Sequence, residues 1–338
     1  MKSLNIDYVC FAGYSHLDWG GVLETLKELN SRGHTIRVLS GANIKEYVEN
    51  NGLIFKDVGL EYFRPRQSTE TIEDTLAYHQ FHNFFDTKNI EKTYLNSLNL
   101  IKENKTDIIL SDPLCKTGPL ISIKTGIPYA VLGPYNYQPE GRVENDNHAA
   151  IDRFVKEFSA VTERHGIKDG YKLPLVQNSP WLNIVYSTPD FDKEMREPNI
   201  THVGSDPFPL QNPTRNDKLN IFYSSGTIFW DQYQVDAVIN LAKTHNITLH
   251  MTRGNIIPDI PAKESVIIYD FCDDKKMLPE MDVLITQGGL GTVTNGIRAG
   301  KPLLVLPLMW YNQPQAIKVE RYGNGLVIKT LNEQLMFF

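Results

Sequence analysis

The feature that most constrains this chain is the alternation of short apolar runs with amphipathic helical patterns from end to end. Ile6–Phe11 is an apolar run, a helical pattern covers 22–29, and Thr35–Ser40 is the next apolar run. Further strands are predicted at Ile54–Val58, Ile108–Ser111 and Ile127–Leu132, and helices at Lys45–Asn50, Ile72–Phe84, Asn89–Glu103 and Thr117–Thr125. Strands separated by helices predict an α/β fold with parallel sheets covered by helices on both faces. Ligands of such sheets bind where the strands end, so residues just after strands are candidate site residues.

The alternation is interrupted once, at Gly204–Lys218, where three prolines stand among polar residues. Proline removes a hydrogen-bond donor and fixes the backbone, which is typical of an interdomain linker. The alternation then restarts, with predicted strands at Asn220–Ser224, Thr248–Met251, Val266–Tyr269, Asp282–Thr286, Leu303–Leu306 and Leu326–Ile328, and a helix at Tyr233–His245. We therefore predict two Rossmann-like domains, at 1–205 and 219–338, joined by a linker at 206–218.

Composition excludes several classes of function. The 338 residues include 40 acidic and 34 basic side chains, a net charge of −6, with no Lys/Arg cluster. This balance argues against nucleic acid or an anionic membrane as the main partner. Only three cysteines, Cys10, Cys115 and Cys272, are present, and they have no metal-ligand spacing. No signal peptide or membrane-spanning run is recognisable, so we expect a cytoplasmic protein without stable membrane insertion.

A glycine-rich turn follows the predicted strand that ends at Thr286. It reads Gln287-Gly-Gly-Leu-Gly-Thr292, and it precedes a helical pattern that contains Asn295. Free backbone N–H groups and the helix dipole at such a turn favour an anion such as a diphosphate. The spacing of Gly288, Gly289 and Gly291 matches neither a dinucleotide fingerprint nor a P-loop. Taken alone, the turn is either an anion site or a tight turn that needs glycine for backbone geometry.

The residues after this turn carry a resemblance. Gly300 and Pro302 lead into an apolar strand, and Asn312-Gln313 begin another helix. With the glycine turn, this spacing resembles the donor signature of the UDP-glycosyltransferase superfamily, in particular its bacterial macrolide-type members. The resemblance covers essentially the whole chain. It implies the GT-B fold, in which two Rossmann-like domains face each other across a cleft, the first binding the acceptor and the second binding a nucleotide-sugar donor.

Three polar positions depart from the family pattern. Gln287 stands where the family has a diphosphate-binding His, Asn295 where a Glu binds the ribose, and Asn312 where an Asp binds sugar hydroxyls. Each replacement still forms hydrogen bonds but loses a charge-assisted contact. An altered donor, weak donor affinity or a decayed activity are all compatible with these changes.

Other residues are assigned to the donor site by position. Ser225, Gly226 and Thr227 follow the first strand of the second domain and can offer N–H groups to phosphate. The resemblance places Phe271 on the nucleotide base, although a core Phe is the alternative, and it places Gln313 beside Asn312 at the sugar.

The loop after the first strand offers a general base. A hydroxyl that attacks an anomeric carbon must lose its proton, and a His oriented by a carboxylate is suited to accept it at neutral pH. The resemblance assigns this catalytic dyad to His16 and Asp112. Asp18 competes with His16, because an ungapped count back from His34 places Asp18 at the family position. Asp112 has an alternative role as the N-cap of the helix that begins at Thr117.

The acceptor side is less informative. Aromatic residues are abundant in the first domain, and some are expected to line an apolar acceptor cleft: Tyr62, Phe63, Tyr78, Phe81, Phe84, Phe85, Tyr135, Tyr137 and Trp181. His79 and His82 fall among them and indicate an acceptor wall or core face rather than a metal site. We expect a small, largely apolar acceptor such as a natural-product aglycone.

The sequence thus predicts an inverting glycosyltransferase that uses a UDP- or TDP-sugar and needs no metal or other cofactor. A catalytically weak or inactive binding protein of the same fold is the main alternative, and a nucleotide-sugar epimerase is a less favoured one. Family members generally continue through further helices, whereas this sequence ends at Phe338. We expect those helices to be missing and the apolar residues around Leu331, Leu335 and Met336 to favour a homodimer or domain mobility.

Overall fold

The computed structural model describes residues 2–18, 20–60, 86–133, 148–168, 178–193, 195, 198–205, 208, 217–224, 226, 232–252, 265–270, 272–307 and 312–328. These residues belong to two compact units, the first ending at Gly204 and the second beginning at Ser205. Each unit contains one parallel sheet with helices.

The sheet of the first unit has seven parallel strands. They are β1 (Asn5–Val9), β2 (Thr35–Ser40), β3 (Ile54–Asp57), β4 (Ile108–Ser111), β5 (Tyr129–Leu132), β6 (Leu182–Val185) and β7 (Ile200–His202), in the spatial order β3-β2-β1-β4-β5-β6-β7. The helices are α1 (Val22–Ser31), α2 (Lys45–Asn50), α3 (Thr87–Asn104), α4 (Thr117–Thr125) and α5 (His148–Arg164). Most residues of β1, β2, β4 and β5 are buried, as expected for strands covered on both faces.

The second unit repeats this plan with six parallel strands. They are β8 (Leu219–Ser224), β9 (Ile247–Thr252), β10 (Val266–Tyr269), β11 (Val283–Thr286), β12 (Leu303–Val305) and β13 (Gly325–Val327), in the order β10-β9-β8-β11-β12-β13. The helices are α6 (Gln232–Thr244), α7 (Asp274–Met277), α8 (Leu290–Arg298) and α9 (Gln313–Arg321). Gly296 of α8 allows close packing on the sheet, because a Cβ there would lie 2.6 Å from Leu284 Cδ2.

Both sheets have a topological switch point, where the chain changes the direction in which it adds strands. In the first sheet this point lies between the neighbours β1 and β4, and in the second between β8 and β11. The crevice outside the strand ends at such a point is the usual ligand site of an open α/β sheet. The fold therefore offers one candidate site in each unit.

Most predicted elements are present within a residue or two of their expected bounds, and the predicted α/β class is confirmed. Four elements were not predicted from the sequence: α5, α7, β6 and β7. Phe154, Phe158 and Val161 are buried at helical spacing, a pattern that could have revealed α5. In contrast, β6 and β7 have four and three residues, too few to show a period.

Some predictions fall outside the described residues. These include the helix at Ile72–Phe84 and the segment after Ile328. Of the linker at 206–218, Phe208 is described and is buried in the core of the second unit, where its N–H donates to Arg298 O at 2.8 Å. Among the described helices, none combines the length and apolar character needed to cross a bilayer.

Candidate functional site

His16 and Asp112 meet at the switch point of the first sheet. His16 lies in a short 3-10 turn after β1, and Asp112 directly follows β4, the strand beside β1. The distance from His16 Nδ1 to Asp112 Oδ2 is 2.5 Å, although 96 residues separate them in sequence. Both side chains are buried, with relative exposures of 6% and 0%. Their pairing fixes the ring orientation, because an ionised carboxylate accepts and Nδ1 must then donate.

The main chain of His16 is tied to the strand before it. Tyr8, a fully buried residue of β1, donates its hydroxyl to His16 O at 2.9 Å. The His16 N–H donates to Gly13 O at 3.0 Å, which closes the turn. The ring of Phe11 lies 5.4 Å from the imidazole, between centroids. The His16 side chain is therefore held by the carboxylate of Asp112 and by contacts that begin in the central strand.

Asp112 is anchored on its second oxygen as well. Asp112 Oδ1 accepts the Leu114 N–H at 2.7 Å. The alternative role of Asp112 as the N-cap of α4 is wrong, because Lys116 occupies that position. Burial, followed by the charge of Asp112, raises the pKa of the Cys115 thiol to about 12. The cysteine beside the dyad therefore stays protonated at neutral pH and does not compete as a base.

Asp18, the competing candidate base, has a different partner. Its Oδ1 accepts the hydroxyl of Tyr47 at 2.5 Å. The arrangement of a histidine on a buried carboxylate thus belongs to His16.

Glycines shape the path from this turn into α1. Gly20 and Gly21 have φ of +62° and +144°, and a Cβ on either would approach Tyr186 within 2.9 Å. Tyr186 follows β6, and its hydroxyl also forms a hydrogen bond of 2.7 Å with Thr25 Oγ1 of α1. The sequence analysis missed Tyr186, since it lies far from the loop in sequence.

The glycine turn of the second unit lies at the other switch point, directly after β11. Gly288 adopts φ of +88°, and a Cβ there would lie 2.9 Å from Val305 Cγ1, so this position needs glycine for geometry and space. At Gly289 and Gly291, by contrast, a Cβ would meet no atom of the described residues within 4 Å. No side chain within the described residues caps α8, and its first turn has no acidic residue. The Gly288 N–H donates to Thr286 Oγ1 at 3.2 Å, so the N–H groups that could bind an anion are those at the uncapped start of α8.

Gln287 and Asn312 converge on the same turn. Gln287 is buried, and its amide lies so close to Gly226 that a Cβ on Gly226 would be 2.0 Å from Gln287 Nε2. Gly226 follows β8, the strand paired with β11. Asn312 is also buried, and its backbone oxygen would lie 3.4 Å from a Cβ on Gly288. Three predicted donor-site positions, Gln287, Gly226 and Asn312, are thus gathered around one strand end.

Asn295, on the buried side of α8, contacts a residue that the sequence analysis did not single out. Its Nδ2 donates to Asp274 Oδ2 at 3.1 Å. Asp274 is the first residue of α7, which packs against α8. An acidic pair, Asp273-Asp274, just after a predicted strand was the signal available in the sequence.

The remaining predicted donor residues are placed less centrally. Thr292 is half-buried in the first turn of α8, and Gln313 is exposed at the start of α9. Ser225, Thr227 and Phe271 lie outside the described residues, as do the aromatic acceptor candidates other than Trp181, which is 54% exposed.

Sequence relatives of the chain are glycosyltransferases, although no protein-family model matches it. The zeaxanthin glucosyltransferase of Pantoea ananas is 22% identical over an alignment that covers 92% of this chain and 81% of that protein. The NDP-glycosyltransferase YjiC of Bacillus subtilis is 23% identical, with 97% and 85% covered. These relatives confirm the predicted resemblance and assign the chain to the glycosyltransferase class of enzymes.

Solved structures give the same result for the fold. The calicheamicin glycosyltransferase CalG4 superposes with a TM-score of 0.72 at 18% identity, covering 97% of this chain and 86% of that one. SsfS6 of Streptomyces sp. SF2575, complexed with thymidine diphosphate, gives a TM-score of 0.65 at 18% identity, with 96% and 87% covered. The predicted GT-B fold is confirmed.

Proposed function

We propose that this chain, whose relatives and fold are those of glycosyltransferases, transfers a sugar from a UDP- or TDP-sugar to a hydroxyl of a small, largely apolar acceptor, with inversion at the anomeric carbon. The observation that carries the proposal is the buried contact of 2.5 Å between His16 Nδ1 and Asp112 Oδ2 at a sheet switch point. A histidine held on a carboxylate is the arrangement of a general base.

In the proposed reaction, His16 takes the proton of the acceptor hydroxyl. Because Nδ1–H donates to Asp112, the lone pair of the ring lies on Nε2, which is the atom that accepts the proton. The acceptor oxygen then forms a bond to the anomeric carbon, and the bond from that carbon to the diphosphate breaks. The Asp112 carboxylate stabilises the imidazolium that results, and it is kept in place by the Leu114 N–H.

The second unit is proposed to bind the leaving group. Negative charge grows on the diphosphate as the glycosidic bond breaks, and the N–H groups at the uncapped start of α8 would stabilise it. A complex of SsfS6 with thymidine diphosphate supports a nucleoside-diphosphate site in a protein of this fold. No step of this scheme needs a metal or another cofactor.

An apolar acceptor is proposed on two grounds. The aromatic residues of the first unit are numerous, and a relative over most of the chain is named for zeaxanthin. The chemistry of His16 requires only a hydroxyl on such a molecule.

The test is diphosphate release from a panel of UDP- and TDP-sugars, with and without a panel of phenolic, polyketide and carotenoid alcohols. Release that depends on an acceptor, with a β product from an α-linked donor, supports the proposal. Nucleotide binding without release would favour the binding-protein alternative, to which the neutral residues Gln287, Asn295 and Asn312 give some support. Release without an acceptor would indicate hydrolysis or epimerase chemistry.

A further inference from the structure

The contact between Asp274 and Asn295 places a carboxylate beside α8. Asn295 is 8% exposed, whereas Asp274 is half-buried at the start of α7. The Asn295 side chain donates from Nδ2 to Asp274 Oδ2 at 3.1 Å. The buried amide therefore fixes one oxygen of a carboxylate that is itself accessible.

The orientation of the Asn295 side chain leaves one of its two polar atoms in an unfavourable position. Its Oδ1 is buried and has no hydrogen-bond partner among the residues that the structure describes. A buried acceptor without a hydrogen bond is unfavourable, so the hydrogen bond that the Asn295 side chain does make must account for its orientation. That contact is the donation to Asp274. We therefore regard Asn295 as a residue whose side chain positions the Asp274 carboxylate.

The position of this pair relative to the glycine turn is set by α8 itself. Asn295 lies four residues after Gly291, which is one helical turn, or about 6 Å of rise, from the uncapped N–H groups. In a nucleoside diphosphate, the group covalently attached to the diphosphate is the ribose. A ligand whose diphosphate binds the start of α8 can therefore place its ribose near Asp274.

The chemistry of a ribose matches an ionised carboxylate. A ribose has vicinal 2′- and 3′-hydroxyls that both donate, and a carboxylate has two oxygens that accept strong, charge-assisted hydrogen bonds. A 2′-deoxyribose offers only one of these donors. When a 2′-deoxyribonucleotide binds, the carboxylate loses a hydrogen bond to water and gains no hydroxyl in its place. Sites that hydrogen-bond a substrate hydroxyl reject analogues without that hydroxyl for this reason.

We propose that Asp274 binds the ribose hydroxyls of the donor nucleotide, and that it makes this chain prefer ribonucleotide donors, the UDP class, to 2′-deoxyribonucleotide donors, the TDP class. Asn295 acts through Asp274 as a positioning residue. The inference rests on the proposed function, because it assumes a nucleoside diphosphate at the start of α8.

The experiment is calorimetric titration of the full chain with UDP and with 2′-deoxy-UDP, which differ only in the 2′-hydroxyl. We expect the wild type to bind UDP at least tenfold more tightly. Asp274→Ala should reduce the ratio of the two dissociation constants to about one, mainly by weakening the binding of UDP. Asp274→Asn should keep part of the preference for UDP. Glu280→Gln is the matched control: it removes an exposed carboxylate six residues away and should leave the ratio unchanged.

The role of Asn295 is tested in the same assay. Asn295→Ala should lower the ratio in the wild-type background and should have no further effect when combined with Asp274→Ala. Thermal unfolding of every variant separates misfolding from lost contacts, and Asp273, which caps α7 by accepting the Lys275 N–H at 3.0 Å, is retained throughout.

The outcomes separate the inference from the function on which it rests. If UDP binds tightly but Asp274→Ala does not change the ratio of the dissociation constants for 2′-deoxy-UDP and UDP, the inference is overturned and the proposed function stands. A wild type that prefers 2′-deoxy-UDP would overturn it as well. A wild type that binds no nucleoside diphosphate would overturn both.

Discussion

At the switch point of the first sheet the candidate site consists of side chains, whereas at the switch point of the second sheet it consists mainly of backbone. In the first, the imidazole of His16 and the carboxylate of Asp112 are both buried and are paired at 2.5 Å. In the second, a Cβ on Gly289 or Gly291 would meet no atom of the described residues within 4 Å, and α8 begins without a side-chain cap. Because the strand order around the two points is alike, the difference lies entirely in the residues that follow the strands. A site of the first kind is broken by removing a side chain, and a site of the second kind by adding one.

The largest effect is expected from removing the His16 side chain. His16→Ala should lower kcat by roughly 10²- to 10⁴-fold, which is the usual contribution of a general base. The dissociation constant of the donor should stay within about twofold, since the change leaves the second unit intact. Steady-state kinetics with calorimetry of UDP binding measures both quantities.

Asp18→Ala serves as the control for that change. It lies in the same loop, and its Oδ1 accepts the hydroxyl of Tyr47. Because the carboxylate that pairs with His16 is Asp112, turnover should fall far less. If Asp18→Ala abolishes turnover while His16→Ala leaves it intact, the base is Asp18. Asp112→Asn should resemble His16→Ala with a smaller loss.

The second-largest effect is expected from adding a side chain to the backbone site. Gly291→Leu should raise the dissociation constant for UDP by at least about tenfold, because the new atoms would occupy the space before the N–H groups. Its melting temperature should not fall, since a Cβ there meets no atom within 4 Å in the described part of the chain and Leu has a higher helix propensity than Gly.

Gly296→Ala is the counterpart on the same helix. Its Cβ would lie 2.6 Å from Leu284 Cδ2, so it should destabilise folding by about 1–3 kcal/mol without a specific effect on nucleotide affinity. Equal losses of affinity and stability in both variants would show that the turn is structural rather than a binding site.

These two glycines also show how far sequence reasoning reaches. The turn was recognisable from its sequence, but glycine has different surroundings at two positions of α8. A Cβ on Gly291 would meet no described atom within 4 Å, whereas one on Gly296 would lie 2.6 Å from Leu284 Cδ2. The distinction depends on what lies opposite each Cα, which is a property of packing between α8 and the sheet. The sequence alone left the turn open between an anion site and a structural turn.

The first site was more predictable. His16 and Asp112 follow strands that the apolar pattern identified, and parallel strands bring their ends to one edge. The contacts of Tyr8, Tyr47 and Tyr186 with the loop could not be anticipated, because each depends on a side-chain direction or on a strand, β6, too short to show a pattern. The same holds for Asp274 and Asn295, which are brought together by the packing of two helices.

A smaller effect is expected at Gln287, a buried residue directly before the glycine turn where the family resemblance places a His. Gln287→His should lower the dissociation constant for UDP by a few-fold at pH 6, where an ordinary imidazole is largely protonated, and by less at pH 8. Titrations at the two pH values, with Gln287→Leu as the uncharged comparison, measure the contribution. Identical affinities for the wild type and Gln287→His at both pH values would mean that the diphosphate does not lie beside this residue.

The smallest effect is expected from removing metal ions. Because a base and backbone N–H groups account for the proposed chemistry, dialysis against EDTA should change the rate of acceptor-dependent diphosphate release by less than about twofold. If the rate falls and Mg²⁺ or Mn²⁺ restores it, the backbone N–H groups do not stabilise the leaving diphosphate without a divalent cation.

The bond from the Tyr8 hydroxyl to the His16 carbonyl has a consequence for adaptability. Tyr8 is a fully buried residue of the central strand, so moving the turn that contains His16 would require opening the most stable part of the first unit. The proposed base is therefore held in a fixed position, and any induced fit to acceptors of different shape would occur in other loops. Directed evolution toward new acceptors should accordingly accumulate substitutions outside residues 8–16, and amide hydrogen exchange in this segment should stay slow whichever acceptor is bound.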